Sequence, residues 1–330
     1  MLTIINENHK PQYNLALEEY VFKYLDKDDD FILLWQNEPS VIIGRNQNTI
    51  EEINNYYINK HQINVVRRIT GGGAVYHDLG NLNYSFITKY TSNSVNNFRK
   101  FTQPVINMLN SLGVKAEFSG RNDITIEGKK ISGNAQSYYQ NKVLHHGTIL
   151  FNADLDMITN VLNVRLEKIE SKGIKSIRSR VTNIYPYLPS KMTIKEFQDK
   201  LLRFILNDNN INPYIYTLTD EDKDKIVSLM NNKYLTWEWN YGESPQFNLQ
   251  KERRYQGGKI DIRLNVIEGI IKDCKIYGDF FGKENIFQLE ALLKNHRFEE
   301  NEIRNLLENL NLENYLFQIT TDDFIDCLFY

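Results

Sequence analysis

Three consecutive glycines, at positions 71 to 73, constrain the fold of this 330-residue chain more than any other feature. A stretch without Cβ atoms can adopt positive φ, and a ligand can approach its backbone closely. The stretch separates two strand-like patterns, 65–68 and 74–77, so we expect a loop that leaves a strand. Free N–H groups in such a loop suit an anion. The sequence therefore predicts an anion-binding loop, with a flexible glycine hairpin as the alternative.

Two arginines directly precede this loop. Arg67 and Arg68 carry permanent positive charge and forked N–H donors that match carboxylate or phosphate groups. No Gly-Lys-Ser/Thr follows the glycines, so the segment is not a Walker loop, and it does not open a helix in a G-x-G-x-x-G pattern. We therefore expect an anion site of another kind, the alternative being a solvated arginine pair.

The composition excludes several classes of protein. Hydrophobic residues make up 41% and charged residues 25% of the chain, as in soluble globular proteins, and the length predicts two domains. A net charge of −3 does not suit a protein that coats nucleic acid, so we expect no nucleic-acid partner. Two cysteines, Cys274 and Cys327, exclude a disulfide scaffold and predict a cytoplasmic location. No segment predicts a signal peptide or a membrane span, and we expect a monomer that binds no membrane.

The hydrophobic periodicity predicts an α+β protein. Helices are expected behind an N-cap at Asn14 and over the ranges 49–60, 97–112, 194–206, 220–230, 286–293 and 301–310. Strands are expected at 31–35, 41–44, 65–68, 115–118, 124–126, 130–132 and 143–151, with 74–77 and 82–88 as a pair. Residues 240–258 are polar and contain glycines and a proline, which indicates a linker. We predict a catalytic domain at 1–245 and a small α+β domain, opening on a hairpin, at 246–330.

A second candidate segment contains Lys129 and Lys130 behind the expected turn at Glu127 and Gly128. Alternation along a strand points the two lysines to opposite faces, so one can enter a pocket while the other stays in water. A pocket lysine can reach both a carboxylate and a phosphate. Asp123 is a candidate Mg²⁺ ligand, or alternatively a residue that caps a turn.

Two further segments carry charge or titratable groups. His145 and His146 are adjacent on an expected strand, so they face opposite ways and form no metal site alone; we expect one packed and one exposed histidine. Residues 165–180 hold six basic and two acidic side chains around Gly173. Such a loop can close over a nucleotide phosphate, and a solvated surface is the alternative.

Taken together, these segments resemble the lipoate–protein ligase family of the biotin ligase-like superfamily. The matching runs are WQNEPSVIIGRNQ at 35–47, RRITGGGAVYHD at 67–78, GRND at 120–123, KISG at 130–133, HHGT at 145–148 and RSRVTN at 178–183. Six such runs in this order make coincidence implausible. The resemblance implies a biotin/lipoate ligase-like mixed-sheet catalytic domain followed by a small accessory domain.

The resemblance also implies a reaction. The family joins lipoate to ATP as lipoyl-AMP, releases pyrophosphate, and transfers the lipoyl group to a lysine of a lipoyl domain. Expected acceptors are the E2 subunits of 2-oxoacid dehydrogenases and the glycine cleavage H protein. ATP, Mg²⁺ and lipoate are the expected cofactors and substrates. Adenylation brings two anions together, so fixed positive charge is the chief requirement.

The matched runs assign roles to particular residues. The expected catalytic residues are Arg68 and Lys130. The expected ATP and lipoyl-AMP contacts are Arg68, Gly73, Ala74, Val75, Tyr76, His77, Lys130, Arg178 and Ser179. The last two belong to an expected adenylate-binding loop at 171–183. The expected lipoate contacts are Lys130, Gly73, His77 and His146, and the expected metal ligand is Asp123. We expect an apolar tunnel lined by Leu17, Val21, Val75, Phe86 and Ile149, although core packing explains these residues equally well.

Four alternatives differ in mechanism or substrate. A relative could transfer lipoyl or octanoyl groups from preformed lipoyl-AMP or from a lipoylated protein without ATP, and the sequence leaves this open. A thioester mechanism needs a cysteine in the large domain, whereas none precedes Cys274. A non-catalytic lipoyl-binding protein would not need Lys130 and the glycine loop. A biotin ligase is disfavoured because its Gly-Arg-Gly-Arg-x-Gly run is absent.

Overall fold

The computed structural model describes residues 1–91, 96–162, 180–206, 214–241, 248–267 and 269–330. Within these ranges the strands are β1 Leu2–Ile4, β2 Phe31–Trp35, β3 Ser40–Ile43, β4 Asn64–Arg67, β5 Val75–His77, β6 Asn81–Lys89, β7 Ala116–Ser119, β8 Asp123–Ile126, β9 Lys129–Tyr139, β10 Lys142–Leu150, β11 Leu249–Tyr255, β12 Gly258–Ile267 and β13 Ile270–Gly278.

The α-helices of the same ranges are α1 Pro11–Lys23, α2 Thr49–Glu52, α3 Asn55–His61, α4 Phe98–Ser111, α5 Leu155–Val161, α6 Ile194–Ile205, α7 Asp220–Leu229, α8 Trp237–Asn240, α9 Ile286–Leu293, α10 Glu300–Leu307 and α11 Thr321–Phe329. A π-helical turn, Met230–Tyr234, continues α7, and short 3₁₀ turns lie at Tyr185–Tyr187 and Leu312–Asn314. Among the described helices, none has the length and apolar character that crossing a membrane requires.

A mixed seven-stranded sheet forms the centre of the large domain, as the predicted α+β class requires. Its order is β1-β2-β6-β10-β9-β8-β7, with β1 parallel to β2 and the other neighbours antiparallel. The expected turn between β8 and β9 is present: Glu127 and Gly128 both have positive φ, 52° and 74°. Two such residues form the type I′ turn that matches the twist of a hairpin.

A smaller sheet, of order β4-β3-β5, carries the glycine loop between β4 and β5. The predicted pairing of 74–77 with 82–88 is wrong, because β5 pairs with β3 whereas β6 pairs with β2 and β10. The chain crosses between the two sheets at Gly80, where a Cβ would overlap the backbone of Asn152. This close crossing separates the two strands that sequence proximity suggested as partners.

Two helix predictions need correction. The first helix begins at Pro11, not behind Asn14, because proline already has the φ of a first helical residue. Asn14 is instead buried in the helix and bonds Asn37 and backbone carbonyls. The predicted helix at 49–60 is interrupted at Ile53, whose φ of −116° and ψ of 148° are extended.

The central sheet packs helices on both faces. On one face α4 and α6 cover the sheet, with Phe101, Val105 and Phe197 fully enclosed. On the other face α1 and the smaller sheet form a second core around Leu17 and Val21. The glycine loop therefore lies at the junction of the two sheets.

The small domain has a core of its own. Its three-stranded meander β11-β12-β13 packs against α9, α10 and α11 through residues such as Ile262, Leu289 and Phe324. The predicted linker at 240–258 is wrong from Leu249 onward, because Leu249–Tyr255 pairs with β12 as an edge strand. Its alternate exposed polar residues concealed the strand pattern. The proposed boundary between 245 and 246 falls outside the described residues.

The first prediction concerns the core beneath α6. Phe197→Ala removes a fully buried ring that packs against Phe151 and should lower the free energy of unfolding by about 3–5 kcal/mol. Phe204→Ala, on the same helix but 38% exposed, should cost less than about 1 kcal/mol. Urea denaturation of both variants measures the difference, and equal costs would contradict this packing.

Candidate functional site

A cavity of about 130 Å³ lies where the glycine loop faces β9 and β10. One part of its wall is apolar and is formed by Leu15, Trp35, Ile42, Val75, Ala135 and Phe281. The other part is polar and is formed by Arg68, His77, Asn83, Asn122, Lys130, Asn134, His146 and Thr148. Such a cavity can hold an apolar chain that ends in a polar group.

Most of the predicted binding residues border this cavity. Those that line it are Arg68, Gly73, Ala74, Val75, His77, Lys130 and His146. Tyr76 is buried on the opposite side of β5 with Val41 and Ile43, so its side chain does not reach the cavity. Strand alternation explains this placement of the side chain. Arg178 and Ser179 lie outside the described residues.

The expected tunnel is largely wrong. Val75 lines the cavity, but Leu17 and Val21 pack in the core under α1, and Phe86 and Ile149 pack in the core on the other face of the sheet. The residue that α1 contributes to the cavity is Leu15. The hydrophobicity of a residue does not distinguish side chains that line the cavity from side chains that pack in the core.

Arg68 is enclosed by the loop that follows it and is 6% exposed. Its Nη2 donates to the carbonyls of Gly71 and Gly73 (2.7 and 2.9 Å), its Nη1 to Ile42 O (3.1 Å) and its Nε to Thr70 Oγ1 (3.0 Å). Four of its five N–H groups thus donate hydrogen bonds to backbone carbonyls and to Thr70. Burial lowers the pKa of Arg68 to about 10, which leaves it charged at neutral pH. Arg68 therefore offers the cavity its charge and the shape of the loop, and it has no free forked donor pair.

Arg67 points away from the cavity, contrary to the expectation for an arginine pair. Its guanidinium donates to the carbonyls of Gly44, Arg45 and Gln47 and, from the other side, to Trp239 O and Thr49 Oγ1. These bonds fix the turn that packs under the glycine loop, where a Cβ on Gly44 would overlap the carbonyl of Gly72. Arg67 is thus a structural clamp on the loop.

Lys130 enters the cavity while Lys129 stays in solvent, as strand alternation predicts. The Lys130 ammonium lies 2.8 Å from Asp123 Oδ1, which keeps it in place. A Cβ at Gly133 would lie 2.8 Å from Lys130 Nζ, so the glycine of the KISG run leaves room for this ammonium. Lys130 N donates to Arg180 O, and Thr182 N donates to Lys130 O, at 2.7 and 2.9 Å.

Residues 163–179, which hold most of the predicted adenylate-binding loop, lie outside the described residues. The described end of that predicted loop runs directly beside Lys130, through the backbone pairing of Arg180 and Thr182.

Glu18, which the sequence analysis did not single out, holds the cavity residue His146 in place. Its fully buried carboxylate bonds His146 Nδ1 at 2.9 and 3.0 Å and accepts from Ser85 Oγ at 2.5 Å. His146 Nε2 lies 2.7 Å from Thr70 Oγ1, the atom that also accepts from Arg68 Nε. A carboxylate only accepts, so Nδ1 of His146 donates. A glutamate within the apolar stripe of α1 was the only sequence signal.

Both histidines of the HHGT run are buried, so the expectation of one exposed histidine is wrong. His145 faces away from the cavity, stacks on Phe101 at 4.8 Å and bonds Gln136 and Asn134. Gly147 is required beside them because a Cβ there would overlap the side chain of Asn134.

His77 presents a polar atom with no partner among the described residues. Asn37 Oδ1 accepts from Asn14, so its amide group donates to His77 Nδ1 at 3.1 Å. The ring proton therefore lies on Nε2, which is buried and unpaired in the described structure. Burial, together with the charge of Arg68, lowers the pKa of His77 to about 3. His77 thus offers the cavity a neutral N–H donor.

Two family models match this chain. Residues 10–206 match the lipoyl protein ligase A/B catalytic domain, and residues 244–328 match the bacterial lipoate protein ligase C-terminus. The chain belongs to the lipoate–protein ligase family. It is 51% identical to lipoate-protein ligase LplJ of Bacillus subtilis over the full length of both chains. It is 47% identical to lipoate–protein ligase 1 of Staphylococcus aureus, over 96% of this chain and 95% of that one.

Solved structures share the fold. The structure of P. falciparum LipL1 in complex with lipoate matches with a TM-score of 0.79 and 27% identity, covering 98% of this chain and 97% of that one. A lipoate-protein ligase A bound with ATP matches with a TM-score of 0.63 and 31% identity, covering 73% and 98%. These likenesses confirm the predicted biotin/lipoate ligase-like mixed-sheet fold with a small C-terminal domain. This ligase is therefore an enzyme of lipoate attachment.

The second prediction concerns the space around Lys130. Gly133→Ala places a methyl group against the flexible end of Lys130 and should lower the lipoylation rate about 10²-fold by displacing a charge from the site. The free energy of unfolding should change by less than about 1 kcal/mol. Gly128→Asn, in the solvent-facing turn of the same hairpin, is the control and should leave the rate unchanged. Unchanged activity in Gly133→Ala would contradict this role.

The third prediction concerns pH and stability. Burial lowers the pKa of His77 from its ordinary value of 6.5 to about 3 in the folded chain, so only the unfolded chain takes up this proton as the pH falls below 6.5. Its contribution to stability is therefore complete above pH 6.5 and is lost toward pH 3, by up to about 1.4 kcal/mol per pH unit. Between pH 6.5 and pH 5, the free energy of unfolding of His77→Gln should therefore fall by about 1–2 kcal/mol less than that of the unmodified protein. Urea denaturation across this range tests it, and parallel profiles would refute it.

Proposed function

We propose that this ligase activates free lipoate with ATP to lipoyl-AMP, releases pyrophosphate, and then transfers the lipoyl group to a lysine of a lipoyl domain. The second step forms an amide bond and releases AMP. The acceptors proposed are E2 subunits of 2-oxoacid dehydrogenases and the glycine cleavage H protein. The ATP-bound and lipoate-bound structures of relatives support both substrates. The archaeal system whose solved ligase is described with its E2 lipoyl domain, from Thermoplasma acidophilum, supports the acceptor.

One observation carries the proposal: two cations, Arg68 and Lys130, border the same cavity, and one part of its wall is apolar. The apolar wall suits the acyl chain, and the charged end suits a carboxylate next to an α-phosphate. Attack of one anion on another is slow unless fixed charges neutralise them and hold them in line. Lys130, beside Asp123, is the group that can reach both reactants.

Mg²⁺ belongs to the proposal as a companion of the nucleotide. No group of three His, Cys, Asp or Glu side chains that could hold an ion is present in the described part of the chain. Mg²⁺ takes most of its ligands from phosphate and water, so Asp123 would serve as its carboxylate ligand at this site. Bound there, Mg²⁺ would neutralise phosphate charge while Asp123 also holds the Lys130 ammonium.

A thioester mechanism is disfavoured by where the cysteines lie. Cys274 and Cys327 are both buried in the small-domain core, away from the cavity. Burial raises the pKa of Cys327 to about 11 and that of Cys274 still further, which suppresses the nucleophilic thiolate. The nucleophile of the transfer step is instead the acceptor's lysine amine, and a cytoplasmic monomer suffices for this chemistry.

The fourth prediction tests the activation step. The purified protein should catalyse lipoate-dependent exchange between pyrophosphate and ATP. Lys130→Ala should lower this exchange by about 10²–10³-fold, because it removes a charge that stabilises the transition state. Lys129→Ala is the matched control, because the Lys129 side chain lies in solvent, and it should lower the exchange rate only slightly.

Three outcomes would count against the proposal. Equal losses in the two lysine variants would contradict the assignment of Lys130 to the site. Absence of exchange together with transfer from synthetic lipoyl-AMP would support the alternative, a transferase that does not use ATP. Absence of both activities would refute the proposed function.

A further inference from the structure

A second and larger cavity, of about 670 Å³, lies between the two domains. The large domain contributes the turn at Arg45 and the helix that holds Trp239, and the small domain contributes Tyr277 and Phe287. Ile69, two residues before the first glycine of the loop, also lines it. Arg68 lines the cavity of about 130 Å³ described above, which we call the acyl cavity. This interdomain cleft is therefore separated from the acyl cavity by the thickness of one loop.

Positive charge accumulates on the large-domain wall of the interdomain cleft. Lys23 and Lys233 both pair with the buried carboxylate of Glu19, at 2.8 and 2.7 Å, and Arg45 is close enough to interact electrostatically with Glu19. Three cations thus share one carboxylate, which leaves two positive charges uncompensated beside the cleft. Across the described lining of the cleft, basic side chains outnumber acidic ones six to three.

Arg45 is the least satisfied of these cations. Its backbone is fixed, since its N–H donates to Thr70 O and its carbonyl accepts from Arg67. Its guanidinium, in contrast, has no hydrogen-bond partner in the part of the chain that the structure describes. Burial lowers its pKa, with Glu19 acting in the opposite sense. A partly desolvated arginine without an acceptor is suited to a carboxylate supplied by a ligand.

Aromatic side chains surround this charge. Trp239 lies under the Lys233 ammonium at 3.9 Å, and Trp237, 52% exposed, stacks on the cleft residue Tyr241. On the small-domain side, Phe287 is 54% exposed. Arginine together with tryptophan, tyrosine and phenylalanine is the composition of protein interface hot spots. A small anion would need the cations but not the exposed aromatic rim.

We propose that the interdomain cleft docks the protein that accepts the acyl group, through an acidic segment of that protein flanked by an apolar side chain. This inference rests on the proposed function, because it assumes a protein acceptor. The acyl cavity, at about 130 Å³, admits the acyl group but offers little surface for a protein. A carboxylate of the acceptor pairs with Arg45, and its apolar neighbour packs on the aromatic rim.

The decisive variant is Arg45→Glu, which reverses the uncompensated charge without removing a hydrogen bond of the fold. Its matched control is Lys115→Glu, an equal charge change at an exposed position of the same domain outside the cleft. Phe287→Ala tests the aromatic rim independently of the turn at Arg45. The probe is a recombinant, unmodified E2 lipoyl domain.

Two assays separate docking from chemistry. In lipoyl transfer from synthetic lipoyl-AMP, Arg45→Glu should raise KM for the lipoyl domain about tenfold, equivalent to about 1.4 kcal/mol, with kcat unchanged. Lipoate-dependent pyrophosphate exchange, which needs no acceptor, should stay at the level of the unmodified protein. The KM difference should shrink as salt is raised, because exposed charges are screened. Phe287→Ala should raise KM with no dependence on salt.

Specific results would overturn the docking proposal. Equal KM values for Arg45→Glu and Lys115→Glu would remove the cleft as the docking site. A parallel loss of pyrophosphate exchange would show that Arg45 serves the adenylation site instead. If the unmodified protein lacks both exchange and transfer, the proposed function fails. Direct titration with the lipoyl domain then still tests docking: Arg45→Glu should weaken binding, whereas Lys115→Glu should not.

Discussion

The buried charge of Arg68 is the constraint on which the site depends. A guanidinium at 6% exposure is costly unless its donors are satisfied. The glycine loop meets this requirement by folding back so that the carbonyls of Gly71 and Gly73 accept from Nη2. Positive φ at Gly72, 93°, makes that reversal possible. The same residues therefore stabilise the cation and shape the wall of the cavity.

A chain of polar contacts extends this constraint into the core. Thr70 joins Arg68 to His146, and His146 joins Glu18, so a buried cation and a buried carboxylate are connected through the side chains of Thr70 and His146. Every member is hydrogen-bonded, the condition under which a buried polar network makes a site rigid. The acyl cavity is thus lined by side chains whose positions are fixed before any ligand arrives.

Local sequence patterns predict much of the fold, and the predictions that are wrong share one physical cause. The glycine loop and the turn at Gly128 follow from φ preferences. Strand alternation separates Lys129 from Lys130, and the resemblance to the family selected Lys130 as the lysine at the cavity. Glu18, the outward clamp of Arg67 and the separation of β5 from β6 depend on contacts between residues far apart in sequence. The same applies to Leu17, whose apolar side chain fits a core and a tunnel equally well by pattern. Tertiary packing decides such cases, and periodicity carries no information about it.

The small domain takes part in the site through the backbone of the glycine loop. Gly72 N donates to Phe280 O at 3.4 Å. Phe281 lines the acyl cavity, and its ring makes a cation–π contact with Arg121. A loop N–H that is bonded to the small domain is not free for a phosphate, so a phosphate that uses Gly72 must displace the Phe280 carbonyl. Substrate binding at the loop and the position of the small domain are therefore coupled by competition for one hydrogen-bond donor.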